Sequence, residues 1–310
     1  MSAAGCPACG GTLAPWIEVP AGEPSDSRRF RLERCDACAS AVTGGPPPGP
    51  DAYNEGVYAP GPPRAGAVVR ALQRATISQP VRMLARGGLA PGARVLDAGA
   101  GTGRLVDELR RGGYDASGIE PSERSAAAAG SAGRPVLRRA IEEHSDSALG
   151  AVVLWHVLEH LDDPAAALQR AAGWISPGGF VLIGVPNPAS WQARIGGAGW
   201  LHWDAPRHRV HLTPRGVGEL LRRAGLAPVR THHFVWEHNP AAMWMALLTR
   251  AGMTPGFPFH ALKRNVAVGP RDLALTAAGV PLMPVALAVE AVAASLRRGG
   301  TVAVVAQRPA

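Results

Sequence analysis

The stretch GARVLDAGAGTGRL, residues 92–105, decides how this chain of 310 residues is read. Its apolar start predicts a short strand at about 93–97 that ends in Asp97 and Ala98. Gly99, Gly101 and Gly103 follow, and a helix is expected from Arg104 to about Arg110. Glycines at such a turn let the backbone bend sharply and approach a ligand closely. A glycine loop alone is shared with NAD-binding folds. Here the next predicted strand, at about 114–119, ends in Glu120, where a carboxylate is placed to hold ribose hydroxyls.

Outward from this loop, apolar runs predict strands at about 135–138, 150–155, 179–185, 227–235 and 301–307, alternating with helical stretches. That order is the pattern of an α/β fold, an open Rossmann-like sheet covered by helices. Asp163-Pro164 reads as an N-cap followed by proline at the first helical position, opening a helix to about Trp174. Ser176-Pro177-Gly178-Gly179 is expected to stop that helix and turn into the fifth strand. The core is assigned to 91–236 and 300–310, preceded by a linker with a lid or N-terminal helix at 46–90.

All four cysteines lie in the first 38 residues, as Cys6-Pro-Ala-Cys9 and Cys35-Asp-Ala-Cys38. Each C-x-x-C turn aims two thiolates at one point, and two such turns make a tetrahedral site suited to zinc. A β-hairpin fits between the pairs, so residues 1–45 read as a zinc ribbon. Four protein ligands leave no open position, so the zinc is expected to be structural. The alternative is two disulfides or a redox pair. The start of the chain has no charged segment leading into an apolar one, which points to the cytoplasm, where thiols stay reduced. The proline- and glycine-rich stretches 44–50 and 60–63 read as linker.

Several blocks together resemble the class I S-adenosylmethionine-dependent methyltransferases, in particular their UbiE/UbiG-like branch. They are the DAGAGTG loop, GIEPS (118–122), WHVLEHL (155–161) followed by Asp162-Asp163-Pro164, SPGGFVLI (176–183) and PRHRVHLTP (206–214). The resemblance runs over about 53–236. It implies that Asp97, Gly99 and Gly101 cradle the methionine part of S-adenosylmethionine, that Glu120 beside Pro121 holds the ribose, and that Ala140 and Ile141 lie near the adenine. Trp155 is expected to border the cofactor. Tyr53 and Tyr58 would belong to a lid over it, or else to an ordinary linker.

Methyl transfer from a sulfonium is an in-line displacement in which the protein orients the acceptor and can remove its proton. Histidine suits that work, because its ordinary pKa is near 6.5. His156, Glu159 and His160 follow the fourth strand, while His208 and His211 follow the fifth after a tryptophan-rich loop. His156 and His208 are expected to face the donated methyl from two loops, with Glu159 and His160 as further catalytic candidates and His211 in a structural hydrogen bond. The branch carries a Glu-x-x-Glu-His metal motif here, but this chain has histidine in its first place, which makes a second metal the weaker reading.

Between the sixth strand and the last lies an insertion, 237–299, with 17 uncharged residues at 273–289. That run falls short of a membrane span, and Pro281 and Pro284 interrupt it. A helical cap over the acceptor pocket or a homodimer contact is expected. Lys263-Arg264 and Arg297-Arg298 at its flanks would also suit peripheral contact with a membrane.

A hydrophobic content of 46% supports a real core. The net charge of +8 fits an anionic partner or simply a solvated basic surface, since no run of five basic residues exists. The reading is therefore an enzyme that methylates a small-molecule or lipid-linked acceptor, such as a sugar or natural-product intermediate. The rivals are an RNA methyltransferase with a zinc module and a non-catalytic binding protein. The ribbon lacks the dense basic and aromatic surface that the first needs, and the intact loop with Glu120 argues against the second.

Overall fold

The computed structural model describes residues 5–49, 52 and 76–310. Tyr53 and Tyr58 lie outside the described residues. Strands β1 (Leu13–Pro20), β2 (Arg29–Cys35) and β3 (Ala41–Thr43) form an antiparallel ribbon. After α1 (Gln79–Gly87) the core begins with β4 (Arg94–Ala98), α2 (Arg104–Arg111), β5 (Asp115–Glu120), α3 (Glu123–Ser131) and β6 (Val136–Arg138). It continues with β7 (Leu149–Trp155), α4 (Pro164–Trp174), β8 (Ile175–Pro186), α5 (Trp191–Gly196), β9 (Val210–His211), α6 (Pro214–Arg223) and β10 (Ala227–His232). Helices α7 (Asn239–Arg250), α8 (Phe257–Lys263), α9 (Pro270–Gly279) and α10 (Met283–Ser295) fill the insertion before β11 (Thr301–Gln307).

The large sheet has seven strands in the order β10-β11-β8-β7-β4-β5-β6. Only β11 is antiparallel to its neighbours. Val152, Val153 and Leu154 on β7 and Val181, Leu182 and Ile183 on β8 are fully buried. Successive burial on both faces is what helices on either side of a parallel sheet require. The chain order reverses between β5 and β7, either side of β4, and the crevice at the carboxyl ends of such strands is where ligands bind.

Two expectations are corrected. Residues 176–179 do not form a turn ahead of the fifth strand, because β8 starts at Ile175, directly after α4. Leu149 pairs with Ile175 and Ala151 with Phe180, so these residues bulge out of the ladder. The other end of the chain satisfies the bulge: Gly178 N–H donates to the Arg308 carbonyl at 2.9 Å, and Gln307 Nε2 donates to the Gly178 carbonyl at 2.7 Å.

The helical run is also longer than expected, although Pro281 interrupts its α-helix as expected: α9 ends at Gly279, Val280–Leu282 form a 3-10 turn, and α10 begins at Met283. Helical backbone nevertheless continues over Pro270–Ser295, 26 residues whose most apolar 18-residue window has a mean hydropathy of 1.8, long and apolar enough to cross a membrane by length and composition. Pro284 stands in the first turn of α10, where its missing N–H costs nothing. The insertion packs as a helical unit. Met243, Trp244, Met245, Leu248 and Phe257 are buried around Ala286, against Trp191, Ile195 and Leu201 of the core.

The ribbon is not a separate module. Strand β3 pairs with β9, so one four-stranded sheet joins residues 13–43 to the core. Thr213 Oγ1 donates to the Cys38 carbonyl at 2.7 Å, and Arg223 reaches the carbonyls of Pro7 and Ala8.

Candidate active site

A cavity of about 780 Å³ opens at the carboxyl ends of β4, β5 and β7. Gly99, Gly101, Glu120, Pro121, Ala140 and Ile141 line it, together with His156, Val157, His160 and Lys263. Gly101 has φ +52°, and no atom of the described residues stands within 4 Å of where its Cβ would be, so the loop leaves open room beside it. Glu120 accepts hydrogen bonds from the backbone N–H groups of Gly101 and Ser122, each at 2.8 Å. Those bonds tie the β4 and β5 loops together and leave further lone pairs for hydroxyl donors. Burial pushes Glu120 above the ordinary carboxylate range. Burial, with the Glu120 charge beside it, pushes Asp97 up to about 7. The pocket's size and the Glu120 carboxylate on its wall fit a nucleoside whose ribose hydroxyls donate to that carboxylate.

Asp97 and Ala98 are buried at the end of β4, behind the lining residues. Gly103 caps the start of α2 and faces Arg134 and Val136, away from the cavity. Trp155 does not line the cavity either. Its ring lies over Gly184, where a Cβ would stand 2.5 Å from the indole, and its N–H donates to Glu237 at 3.0 Å.

His156 holds the left-handed conformation, φ +56°, just past the end of β7. Non-glycine residues there are uncommon and cluster at functional sites. The backbone N–H of His156 donates to the Gly184 carbonyl, and Nδ1 lies 3.1 Å from Glu159 Oε1. Glu159 is 1% exposed, and the short helical turn Leu158–His160 brings it back beneath the imidazole. Burial would push the carboxyl up, but the hydrogen bond and charge of His156, with His160 and His208 nearby, hold it below its ordinary range. Burial also pushes His156 down, yet the bond to Glu159 and the charges of Glu159 and Glu237 prevail and hold it above its ordinary value. A carboxylate at Nδ1 fixes the proton there. Nε2, buried and with no hydrogen-bond partner among the described residues, is then the basic nitrogen.

The insertion contributes to this cluster, which the sequence reading missed. The His238 ring meets His156 edge-on at 4.7 Å and stands 5.9 Å from His202. Burial pushes His238 down to about 4, so it is neutral near pH 7. Glu237 and His238 lie just past β10, at the active-site end of the sheet. That position was their only signal in the sequence.

His208 does not face the cavity. It is 5% exposed, and its Nδ1 donates to the His202 carbonyl at 2.9 Å. Thr43 of β3 donates to the His208 carbonyl at 2.6 Å and lies 2.9 Å from His211 Nε2. His208 and His211 therefore belong to the seam between ribbon and core, because the β3–β9 pairing turns them there. His160 bridges the two zones: it lines the cavity, and its ring meets His208 at 4.7 Å. Glu159, His160 and His208 bring ligand atoms within 4.8 Å of one another, whereas His156 is not part of that group.

The thiols of Cys6, Cys9, Cys35 and Cys38 also lie within 4.8 Å of one another. Cys6 and Cys38 are 3.6 Å apart, and Cys9 and Cys35 are 3.4 Å apart. All four are free thiols, far beyond disulfide length. Sulfurs at the corners of a tetrahedron of 2.3 Å bonds would stand about 3.8 Å apart.

A family model described as "Methyltransferase domain" matches residues 69–231. The ubiquinone biosynthesis O-methyltransferase of Paracidovorax citrulli is 31% identical over 54% of this chain and 77% of its own. That of Erwinia tasmaniensis is 31% identical over 53% and 71%. A chain of the complex between the Haloferax volcanii Trm112 methyltransferase activator and its methyltransferase shares the fold. Its TM-score is 0.53 at 15% identity, over 86% of this chain and 100% of that one.

Proposed function

The chain belongs to the methyltransferase-domain family, and from that premise we propose that it O-methylates a small acceptor with His156 as general base. S-adenosylmethionine, the family's donor, supplies a methyl group already activated by a sulfonium. Gly99, Gly101 and Glu120 would hold it, leaving orientation and deprotonation of the acceptor to the rest of the site. One observation carries the reading: His156 borders the cavity with Nδ1 anchored on Glu159 and Nε2 without a hydrogen-bond partner among the described residues. An acceptor hydroxyl at Nε2 gives up its proton as its oxygen attacks, and Glu159 stabilises the imidazolium that forms. Such a base suits a phenolic or enolic hydroxyl, with a pKa of about 10, better than a sugar alcohol. The names of the O-methyltransferase relatives point the same way. The four cysteines are inferred to hold one structural zinc.

The test is transfer of labelled methyl to a panel of phenols and sugars. His156→Gln should keep cofactor affinity and lose about 100- to 10,000-fold in turnover. His208→Gln should lose stability first. Because His156 must be neutral to act and its pKa is raised, kcat/KM should fall as pH drops through a value above 6.5. Glu159→Gln should move that limb to lower pH. Wild-type turnover in His156→Gln would reject the assignment. A divalent ion on Glu159, His160 and His208 is the second reading, favoured by their convergence; turnover that survives chelation rejects it.

A further inference from the structure

Helix α10 is built the wrong way round for water. Ala286, Glu290 and Ala293, four and three residues apart, form its buried stripe. Its only charged side chain therefore points inward, where Gln192 Nε2, Asn239 Nδ2 and the Gly300 N–H donate to it at 2.8, 2.7 and 2.8 Å. The outward residues are apolar: Met283, Val285 and Val292 are 46%, 51% and 51% exposed. Leu273 on α9 and Val280 and Leu282 between the helices extend the face. Only 22% of the apolar window in Pro270–Ser295 is buried. A surface helix in water shows the opposite pattern, and an exposed apolar patch of this kind marks an interaction site.

The charges around the face say what covers it. Exposed cations stand at the ends of the two helices: Lys263 and Arg264 precede them, Arg271 lies in the first turn of α9, and Arg297 follows α10, with Arg298 beside it turned to the Ala189 carbonyl. Against them stand two acids, Glu290, which is buried, and Asp272, which accepts from the N–H and hydroxyl of Thr254. An apolar face rimmed by cations complements the boundary of an anionic bilayer. It fits a second copy poorly, since two basic rims would meet. We propose that α9 and α10 lie in the headgroup boundary of a membrane containing anionic lipid. The helices cannot span it, because Glu290 bonds α10 into the core. Lys263, at the end of α8 just before these helices, also lines the cofactor cavity. An amphiphilic acceptor could thus be met at the membrane surface, a consequence that rests on the methyl-transfer reading, whereas the docking itself does not.

The experiment is co-sedimentation of the full chain with vesicles of phosphatidylcholine alone or mixed with phosphatidylglycerol at roughly 7:3. Binding is expected with the mixed vesicles and should weaken as salt rises. Val285→Asp with Val292→Asp, and separately Arg264→Glu with Arg297→Glu, should each weaken it by about tenfold or more. S-adenosylmethionine affinity should stay unchanged in both variants, which shows that they are folded. Wild-type protein left in the supernatant with both vesicles overturns the proposal. So does a dimer that the valine substitutions convert to monomer while vesicles bind neither form. Vesicle binding without methyl transfer to any acceptor would instead count against the enzyme reading and leave the docking intact.

Discussion

Gly101 shows what a single missing side chain does for this site. Its φ is positive and no described residue stands beside its Cβ position, so a larger side chain enters the cavity. Gly101→Val should leave the fold intact, at a cost of about 1–2 kcal/mol for the left-handed backbone. Binding of S-adenosylmethionine, read by calorimetry, should weaken by well over tenfold. Unchanged affinity would mean the cradle lies elsewhere. Gly101 and Glu120 were legible in the sequence because a loop between adjacent strands is a local arrangement. His156 and Glu159 were legible as separate candidates, but their pairing, three residues apart, came only with the left-handed backbone at His156. Glu237 was not legible, since its bond to Trp155 joins positions 82 residues apart and exists only once the sheet has formed. His208 was misread for a related reason: it follows the end of β8 by 22 residues, and the non-local pairing of β3 with β9 turns it toward the ribbon.

Among elements, the pairing of β3 with β9 matters most for the ribbon. Residues 44–50 read as a linker because proline and glycine report local backbone preference, whereas strand pairing is non-local and leaves no compositional mark. The core strands were legible because burial on both faces makes them continuous apolar runs. The bulge at 176–179 was not, because its satisfaction depends on the last strand. A metal-free ribbon should therefore do more than come loose. Cys6→Ser with Cys35→Ser should abolish zinc binding and lower the melting temperature. Turnover should fall too, since Thr43 supports the backbone of His208 and the ring of His211. Zinc content, melting and turnover measured together check this. A zinc-free variant with normal melting and turnover would make the ribbon an appendage.

At the scale of the whole molecule, Glu290 ties the insertion to the core by accepting from three donors on three different segments. Burial pushes its carboxyl up to about 7. Glu290→Ala strands those donors and should cost about 3 kcal/mol or more in urea unfolding, while Glu290→Gln, which keeps one acceptor oxygen, should cost less. Equal stability in all three proteins would show that the tie contributes nothing. The sequence announced an apolar insertion but not which side of α10 faces out, because a helix this uniformly apolar has no periodicity to read. The sheet that joins ribbon to core also sets an order in time. Ala41 pairs with His211, 170 positions later. During synthesis at about 5–20 residues per second, β3 waits roughly 10–30 s for its partner. Until then it is an open edge, able to pair with another nascent chain.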